Sequence, residues 1–287
     1  MAIQLATDFK PYVDEVMTKA STIDLVAGAE FNFTGANTIK LYKVGTAPMQ
    51  DYGRNQIKEG NWSHYGAVTT LDATTEEMTL KKDRSFTFEI DKLDEDETKG
   101  NLEAASALNR QLREKVLPEI EVHSYGEIIK RAGLRNSETA ELTEENIYAA
   151  ITAASVVLDE AEVPEEGRYI LVTPEVLRLM KLNNALAVNE DIGKELRQKG
   201  AVAALDGAAI IKVLSKRMPE GFKFLYGHPM AAAAPVKLAD YKIHKDPPGL
   251  SGSLVEGRIN YDAFVLDNKV NALYLYSTKA AESGTQK

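Results

Sequence analysis

The sequence predicts an α+β fold, and three features carry that prediction. Phe86, Phe88 and Ile90 alternate strictly with Thr87 and Glu89, the period of a strand with one buried face. Leu102, Ala105, Leu108, Leu112, Val116 and Ile120 recur at steps of three and four, the period of one helix face. Short apolar runs that read as core strands then recur between residues 209 and 276.

Taken in order, Asp8 to Ala20 reads as a short amphipathic helix with Val13, Val16, Met17 and Ala20 on one face, and Pro11 near its first turn. Thr38–Val44 reads as a strand. A polar, Gly-punctuated stretch from Gly45 to Gly66 comes next, carrying Tyr52, Arg54, Lys58, Glu59, Trp62 and Tyr65. Connections of that length tend to be functional or to project outward. Strands are expected again at Ala67–Leu71, Glu76–Leu80 and Ser85–Ile90. The long helix should run from Asp94 to about Arg131, opened by an Asp94/Glu97 capping box and by acidic residues that suit the positive end of its dipole. Roughly thirty-five residues would give a rod of about 50 Å, unless Pro118 kinks or divides it.

Thr143 should cap a second helix running to about Ala161. Tyr169–Val172 is a buried strand, and Thr173-Pro174 opens another helix with Thr as cap and Pro in the first turn. Asn183–Gly207 shows weak periodicity and reads as a loop or short helix. Ala209–Val213, Phe224–Tyr226, Ala231–Ala234, Lys237–Asp246, Arg258–Leu266 and Ala272–Tyr276 read as strands. Pro247-Pro248-Gly249 with Gly252 is a rigid turn feeding the last of them.

Composition excludes several classes of function. The chain has 287 residues, enough for one large domain or two interleaved ones. It has no cysteine, so disulfides, zinc thiolates and a Cys nucleophile are out. Its 34 basic and 43 acidic residues leave a net charge of −9, which argues against gripping duplex phosphates or a membrane surface. No apolar run approaches the roughly 18–20 residues of a membrane span. Asp8, Pro11, Asp14 and Glu15 interrupt any signal-peptide core in residues 1–20. The sequons Asn32-Phe33-Thr34 and Asn61-Trp62-Ser63 then read as chance matches in a chain made and used in a reducing cytosol.

Catalytic signatures are missing. His64, His123, His228 and His244 are too scattered for a local metal motif. No phosphate-binding loop, nucleophile elbow or dinucleotide fingerprint is present. Asp94, Asp96 and Thr98 imitate the start of a calcium loop, but Lys99 stands where its Gly belongs. The expectation is no catalytic residue, no cofactor and no metal. Trp62, Tyr52 and Tyr65 could stack on bases or anchor a subunit contact, and the net charge favours the contact. A long rod, a projecting hairpin and an amphipathic arm describe an assembling subunit better than an enzyme.

Several stretches carry a family resemblance. They are Asp51-Tyr52-Gly53-Arg54-Asn55, Lys82 to Asp91 followed by Asp94 to Thr98, Val116-Leu117-Pro118-Glu119-Ile120, Tyr241 to His244 with Pro247-Pro248-Gly249, Val255 to Ile259, and Tyr261 to Leu266. In order and spacing these resemble the major capsid proteins of tailed bacteriophages with the Hong Kong 97-type fold, over most of residues 38–276.

The resemblance implies an N-terminal arm at 1–35 and an extended β-hairpin loop at 36–83. It implies a peripheral domain at 84–139 and 241–280, with a long spine helix, and an axial domain at 140–240. It implies a coat protein that self-assembles into pentamers and hexamers of an icosahedral phage head. That head would be assembled in the bacterial host cytoplasm, with a scaffolding protein and portal, around DNA held by confinement without sequence-specific binding. The subunit-contact candidates are Val13, Val16, Met17, Tyr52, Arg54, Lys58, Glu59, Trp62 and Tyr65. Some relatives carry a cleaved scaffolding segment, which here was either removed or is a separate protein. Some join subunits by Lys–Asn bonds, and Lys58 has no partner identifiable from the sequence. The alternatives are an encapsulin-like cellular nanocompartment of the same fold and an α+β enzyme with a site built across the fold.

Overall fold

The chain divides into two units, residues 33–80 and the remainder. The computed structural model describes residues 21–28, 38–54, 56, 63–71, 73–97, 103–137, 140–183 and 201–278. The expected helix at Asp8–Ala20 lies outside these residues.

The smaller body is a hairpin. Strand β1 (Thr38–Val44) pairs antiparallel with β2 (Ala73–Thr79), Thr38 opposite Thr79 and Val44 opposite Ala73. The hydroxyls of Thr38 and Thr79 bond at 2.8 Å, and Lys40 pairs with Glu77 across the ladder at 2.6 Å. The strand expected at Ala67–Leu71 does not form. Those residues have no ladder partner, and the pairing begins at Ala73 instead.

In the larger body a six-stranded mixed sheet has helices on both faces. It comprises β4 (Leu134–Arg135), β5 (Tyr169–Val172), β6 (Ala201–Leu205), β7 (Ala208–Lys212), β8 (Phe222–Gly227) and β13 (Leu273–Ser277), in the order β4-β13-β8-β5-β7-β6. The pairs β5/β7 and β4/β13 are parallel and the others antiparallel. Period two divides β5 between two cores. Ile170 and Val172 face α4 (Ile147–Glu160) and α5 (Pro174–Leu182), packing among Ile151, Leu158, Val176 and Met180. Tyr169 and Leu171 face Tyr125, Ile128 and Ile129 on the opposite side. Every residue of β5 is therefore buried, which is why it reads in sequence as an unbroken apolar run. The last strand, β13, does not end the sheet, because β4 pairs outside it.

The weakly periodic stretch 183–207 contains a strand where a loop or short helix is expected. Residues 201–205 are a strand, joined to β7 by Asp206 and Gly207, both at positive φ (47° and 79°) as a two-residue hairpin turn requires. Alanine is a poor strand former, so composition hid the strand. Thr173 caps α5 as expected, its hydroxyl accepting from Val176 N at 3.3 Å. Thr143 does not cap α4 with its side chain. It bonds Asn146 Oδ1 through its own N–H at 2.7 Å, and the helix begins after Asn146.

A second, three-stranded sheet joins β3 (Lys82–Asp91), β11 (Gly252–Tyr261) and β10 (Val236–Lys245), in the order β10-β11-β3 and antiparallel throughout. Ile90 and Val255 bury against Ala104 at the start of α2 (Ala104–Gln111), with Phe86, Phe88, Ala107 and Leu108 packed around them. A short β9–β12 pair, Ala232–Ala233 with Phe264–Val265, lies against the second core.

The long helix differs from expectation at both of its landmarks. Its first piece, α1 (Lys92–Glu97), opens with Asp91, whose Oδ1 accepts from Leu93 N at 2.8 Å, so Asp94 sits inside the first turn rather than capping it. Pro118 does not divide the rod. Helical backbone runs from α2 through residues 112–116 into α3 (Leu117–Lys130), roughly 40 Å at 1.5 Å per residue. Pro118 has no N–H to give to the carbonyl four residues earlier. Residues 112–116 wind instead as a π turn, Leu117 N–H reaching Leu112 O five residues back, which absorbs the missing donor without breaking the rod.

Candidate assembly surfaces

The hairpin carries all three contact candidates that lie among the described residues, Tyr52, Arg54 and Tyr65. Tyr52 and Tyr65 meet edge to face with centroids 5.1 Å apart, and Tyr52 also lies 5.8 Å from His64. Gly53 holds this cluster together. Its N–H donates to His64 O at 2.9 Å, and its carbonyl accepts from His64 Nδ1. Gln50 clamps the other side, accepting from Ala67 N at 2.8 Å and donating to Ala67 O at 3.1 Å. The chain is thereby closed on itself twice, and the two tyrosines remain 57% and 80% exposed. Arg54 is exposed beside them. Met49, Val68 and Leu71 on the loop, and Tyr42 and Val44 on β1, are exposed as well.

Exposed apolar and aromatic side chains are thus gathered on one two-stranded hairpin, a grouping that is costly in water. Composition found Tyr52 and Tyr65. It missed His64 and Gln50, whose roles come from backbone partners eleven and seventeen residues away. Val13, Val16, Met17, Lys58, Glu59 and Trp62 lie outside the described residues.

The three-stranded sheet presents a charged outer face. Arg258 pairs with Asp83 through two contacts, 3.0 and 2.6 Å, and the bond to Arg258 holds the Asp83 carboxyl below its ordinary range. Lys242 pairs with Asp240 at 2.8 Å and His244 with Glu256 at 3.2 Å. On the inner face Arg84 and Tyr261 converge on Glu119 of α3, at 2.7 and 3.4 Å. A pocket of about 290 Å³ lies between Arg84, Phe86, Lys115, Glu119 and Tyr261. Burial, then the Glu119 charge, pushes the Tyr261 phenol up to about 12.

Two buried polar hubs bind the chain's remote parts together. Glu121 on α3, 1% exposed, accepts from Thr22 N at 2.8 Å and pairs with Arg217, itself 3% exposed. Thr22 also shares a 2.7 Å hydroxyl bond with Tyr125, whose phenol burial and the Glu121 charge push up. Asp262 accepts from Lys81 N at 2.9 Å and Ala263 N at 2.9 Å, and bonds His123 Nε2 at 2.7 Å. Neither hub was legible in sequence, because the elements they join lie 96 to 181 residues apart. Among the described residues no group of three His, Asp or Glu could hold a metal ion, and no helix is long and apolar enough to cross a membrane.

No protein-family model matches the chain, and no curated protein matches it. Solved structures do. A chain of Mycobacterium phage Che8 superposes with a TM-score of 0.67 at 18% identity, covering 96% of this chain and 97% of that one. The capsid structure of cyanophage P-SCSP1u gives 0.69 at 14%, covering 95% and 92%. The mature capsid of bacteriophage PhiM1 gives 0.68 at 11%, covering 96% and 92%. The fold is thus that of phage capsid chains, in line with the Hong Kong 97-type α+β architecture the sequence motifs imply.

Proposed function

We propose that the chain is the major capsid protein of a tailed phage, a structural subunit whose work is self-assembly and not catalysis. One observation carries the reading. Similarity to capsid structures spans nearly the whole of both chains. Pentamers and hexamers would close an icosahedral head around DNA, with scaffolding protein and portal supplied in trans and assembly in the host cytoplasm. Residues 1–35 would be the arm and 36–83 the extended loop. Residues 84–139 and 241–280 would form the peripheral domain and 140–240 the axial one. The loop would overlap an adjacent subunit, burying Tyr52 and Tyr65 together with Arg54, Lys58, Glu59 and Trp62. The arm would do the same through Val13, Val16 and Met17. A net charge of −9 suits a shell that confines DNA without gripping its phosphates.

The test is electron microscopy with sedimentation on the chain expressed alone and with its neighbouring genes. Closed uniform shells are expected, and deletion of residues 50–65 should abolish them while leaving a folded subunit. A discrete small species in both preparations would overturn the reading. Shells filled with an enzyme instead of DNA would reassign the chain to a cellular nanocompartment.

A further inference from the structure

The helix α4 departs from the pattern of a surface helix. Ile147, Ile151, Ala154 and Leu158 recur at steps of four, three and four, and they are buried in the core that α4 shares with the six-stranded sheet. The opposite side of such a helix normally carries charge. Here it carries none, because no Asp, Glu, Lys or Arg stands between Asn146 and Asp159. Tyr148, Ala149, Ala153, Val156 and Val157 are all exposed, Val156 to 57%. Thr152 lies among them, and its hydroxyl turns back on its own helix, donating to Tyr148 O at 3.0 Å and to Ala149 O at 3.1 Å.

The neighbouring helix shows that this side of the sheet does not impose an uncharged surface. α5 packs into the same core through Val176, Leu177 and Met180, yet it exposes Glu175, Arg178 and Lys181. The difference belongs to α4 itself. Three turns of exposed helix without a charge are costly in water, and the cost is removed when the face is covered.

We propose that the outer face of α4 is a contact surface for a second copy of this chain. The proposal rests on the shell reading above and adds, in the larger unit, a contact separate from the hairpin. Charge selects the occupant. Each copy carries a net charge of −9, so two copies repel, and they meet at least cost through a surface that brings no like charges together. The α4 face is such a surface. It offers no Lys or Arg to a phosphate, so nucleic acid is not its occupant. A protein recognised by its charge would find nothing there to pair with. Size sets the role of the contact. Fourteen residues make a helix about 21 Å long, whose outer half covers on the order of 300 Å². A stand-alone complex needs about 800 Å² from each partner. The face therefore does not hold two copies together by itself. It adds to contacts such as the hairpin's once those have brought the copies together.

Two substitutions of opposite sign test it on the full chain. Ala153 is exposed in the middle of the face, and Glu and Lys are both good helix formers, so A153E and A153K should leave the melting of the unassembled subunit unchanged. Each should raise the subunit concentration needed for shells by about tenfold or more, because a charge of either sign would lose its water at a neutral contact. If one variant assembles more readily than the native chain, the face meets a charged partner and the proposal is wrong. Native thresholds in both variants would also overturn it. A thiol gives a second readout that does not depend on added charge. The chain has no Cys, so V156C carries a single thiol. Its labelling by a small maleimide should be slower in shells than in the unassembled subunit by on the order of tenfold, the degree of burial a subunit contact brings. Equal rates would refute the contact. A native chain that forms no shell would overturn the shell reading and this contact with it, whereas native shells with unchanged thresholds in A153E and A153K would remove this contact alone.

Discussion

The ring of Phe86 fills the space that a side chain at Gly257 would need. The two residues are register partners on β3 and β11, and a Cβ built on Gly257 would stand 2.3 Å from Phe86 Cζ. Tyr241 is the partner of Gly257 on the other side, and its ring stacks on Phe86 with centroids 6.2 Å apart. Phe88 stacks on Phe86 from along the strand at 6.3 Å. The glycine weakens its own strand, and the aromatics lying across it recover contact area there.

Replacing Gly257 by Ala should therefore cost more than a surface substitution. The ring can yield only by breaking its stacking on Tyr241 and Phe88, an overpacking penalty of about 1–3 kcal/mol. Urea unfolding measures it. F86L should also destabilise, but the double variant should be better than the sum of the singles, because each substitution relieves the other's clash or void. Strict additivity would mean the ring does not rest on Gly257.

The Glu121–Arg217 pair should respond asymmetrically to mutation. Both side chains are almost fully buried. Removing one leaves an uncompensated charge in the core, so E121A and R217A should each cost on the order of 3–5 kcal/mol. Replacing both by Met removes the charges together and should recover most of that loss. Thr22 N would still lack its acceptor in the double variant, so recovery should be incomplete by about 1 kcal/mol. Denaturant midpoints for the three variants decide the matter.

Legibility in the sequence stops where contacts cease to be local. Phe86, Phe88 and Ile90 announced β3 because period two with one buried face is a local property. Tyr169–Val172 was found to the residue because burial on both faces leaves an unbroken apolar run. Pro118 misled in one respect. The rule that proline interrupts a helix is local too, but it does not foresee the π turn at 112–116, where the Leu117 N–H reaches Leu112 O and carries the rod through. Tyr52 and Tyr65 were visible as exposed aromatics in a polar loop. Gln50, His64, Glu121 and Asp262 were not, since hydrogen-bond partners distant in sequence leave no pattern in the chain.

Alkaline pH should unfold the protein through its tyrosines. Burial pushes the Tyr125 and Tyr169 phenols well above their ordinary value of 10.0, and Tyr261 up to about 12. A raised folded value means that the protonated form is the one the fold stabilises. The contribution is complete below about pH 10 and is lost as pH rises toward the folded values. Phenolate absorbance should therefore show a late set of phenols, Tyr125, Tyr169 and Tyr261 among them. That set should ionise together with loss of secondary structure in circular dichroism. A single smooth titration of all twelve tyrosines, completed before any unfolding, would contradict the burial of this set.

The hairpin tyrosines should matter to assembly and not to the folded subunit. Tyr52 and Tyr65 are more than half exposed and touch each other, with Tyr52 also beside the His64 ring, so Y52S/Y65S should change subunit stability by no more than about 0.5 kcal/mol. If the loop docks on a neighbour, these rings are its aromatic anchors, and anchors of that kind are worth about 2 kcal/mol or more each when fully desolvated. Losing both should raise the concentration needed for shell formation by on the order of a hundredfold or more, since each 1.4 kcal/mol is a factor of ten. Light scattering against subunit concentration reads that threshold, and thermal melts of the unassembled subunit provide the control. Because Gly53, Gln50 and Ala67 hold the loop through hydrogen bonds that involve neither tyrosine side chain, its shape should survive. An unchanged assembly threshold would then remove the tyrosines from the interface, while a lowered melting temperature would assign them to the fold of the hairpin.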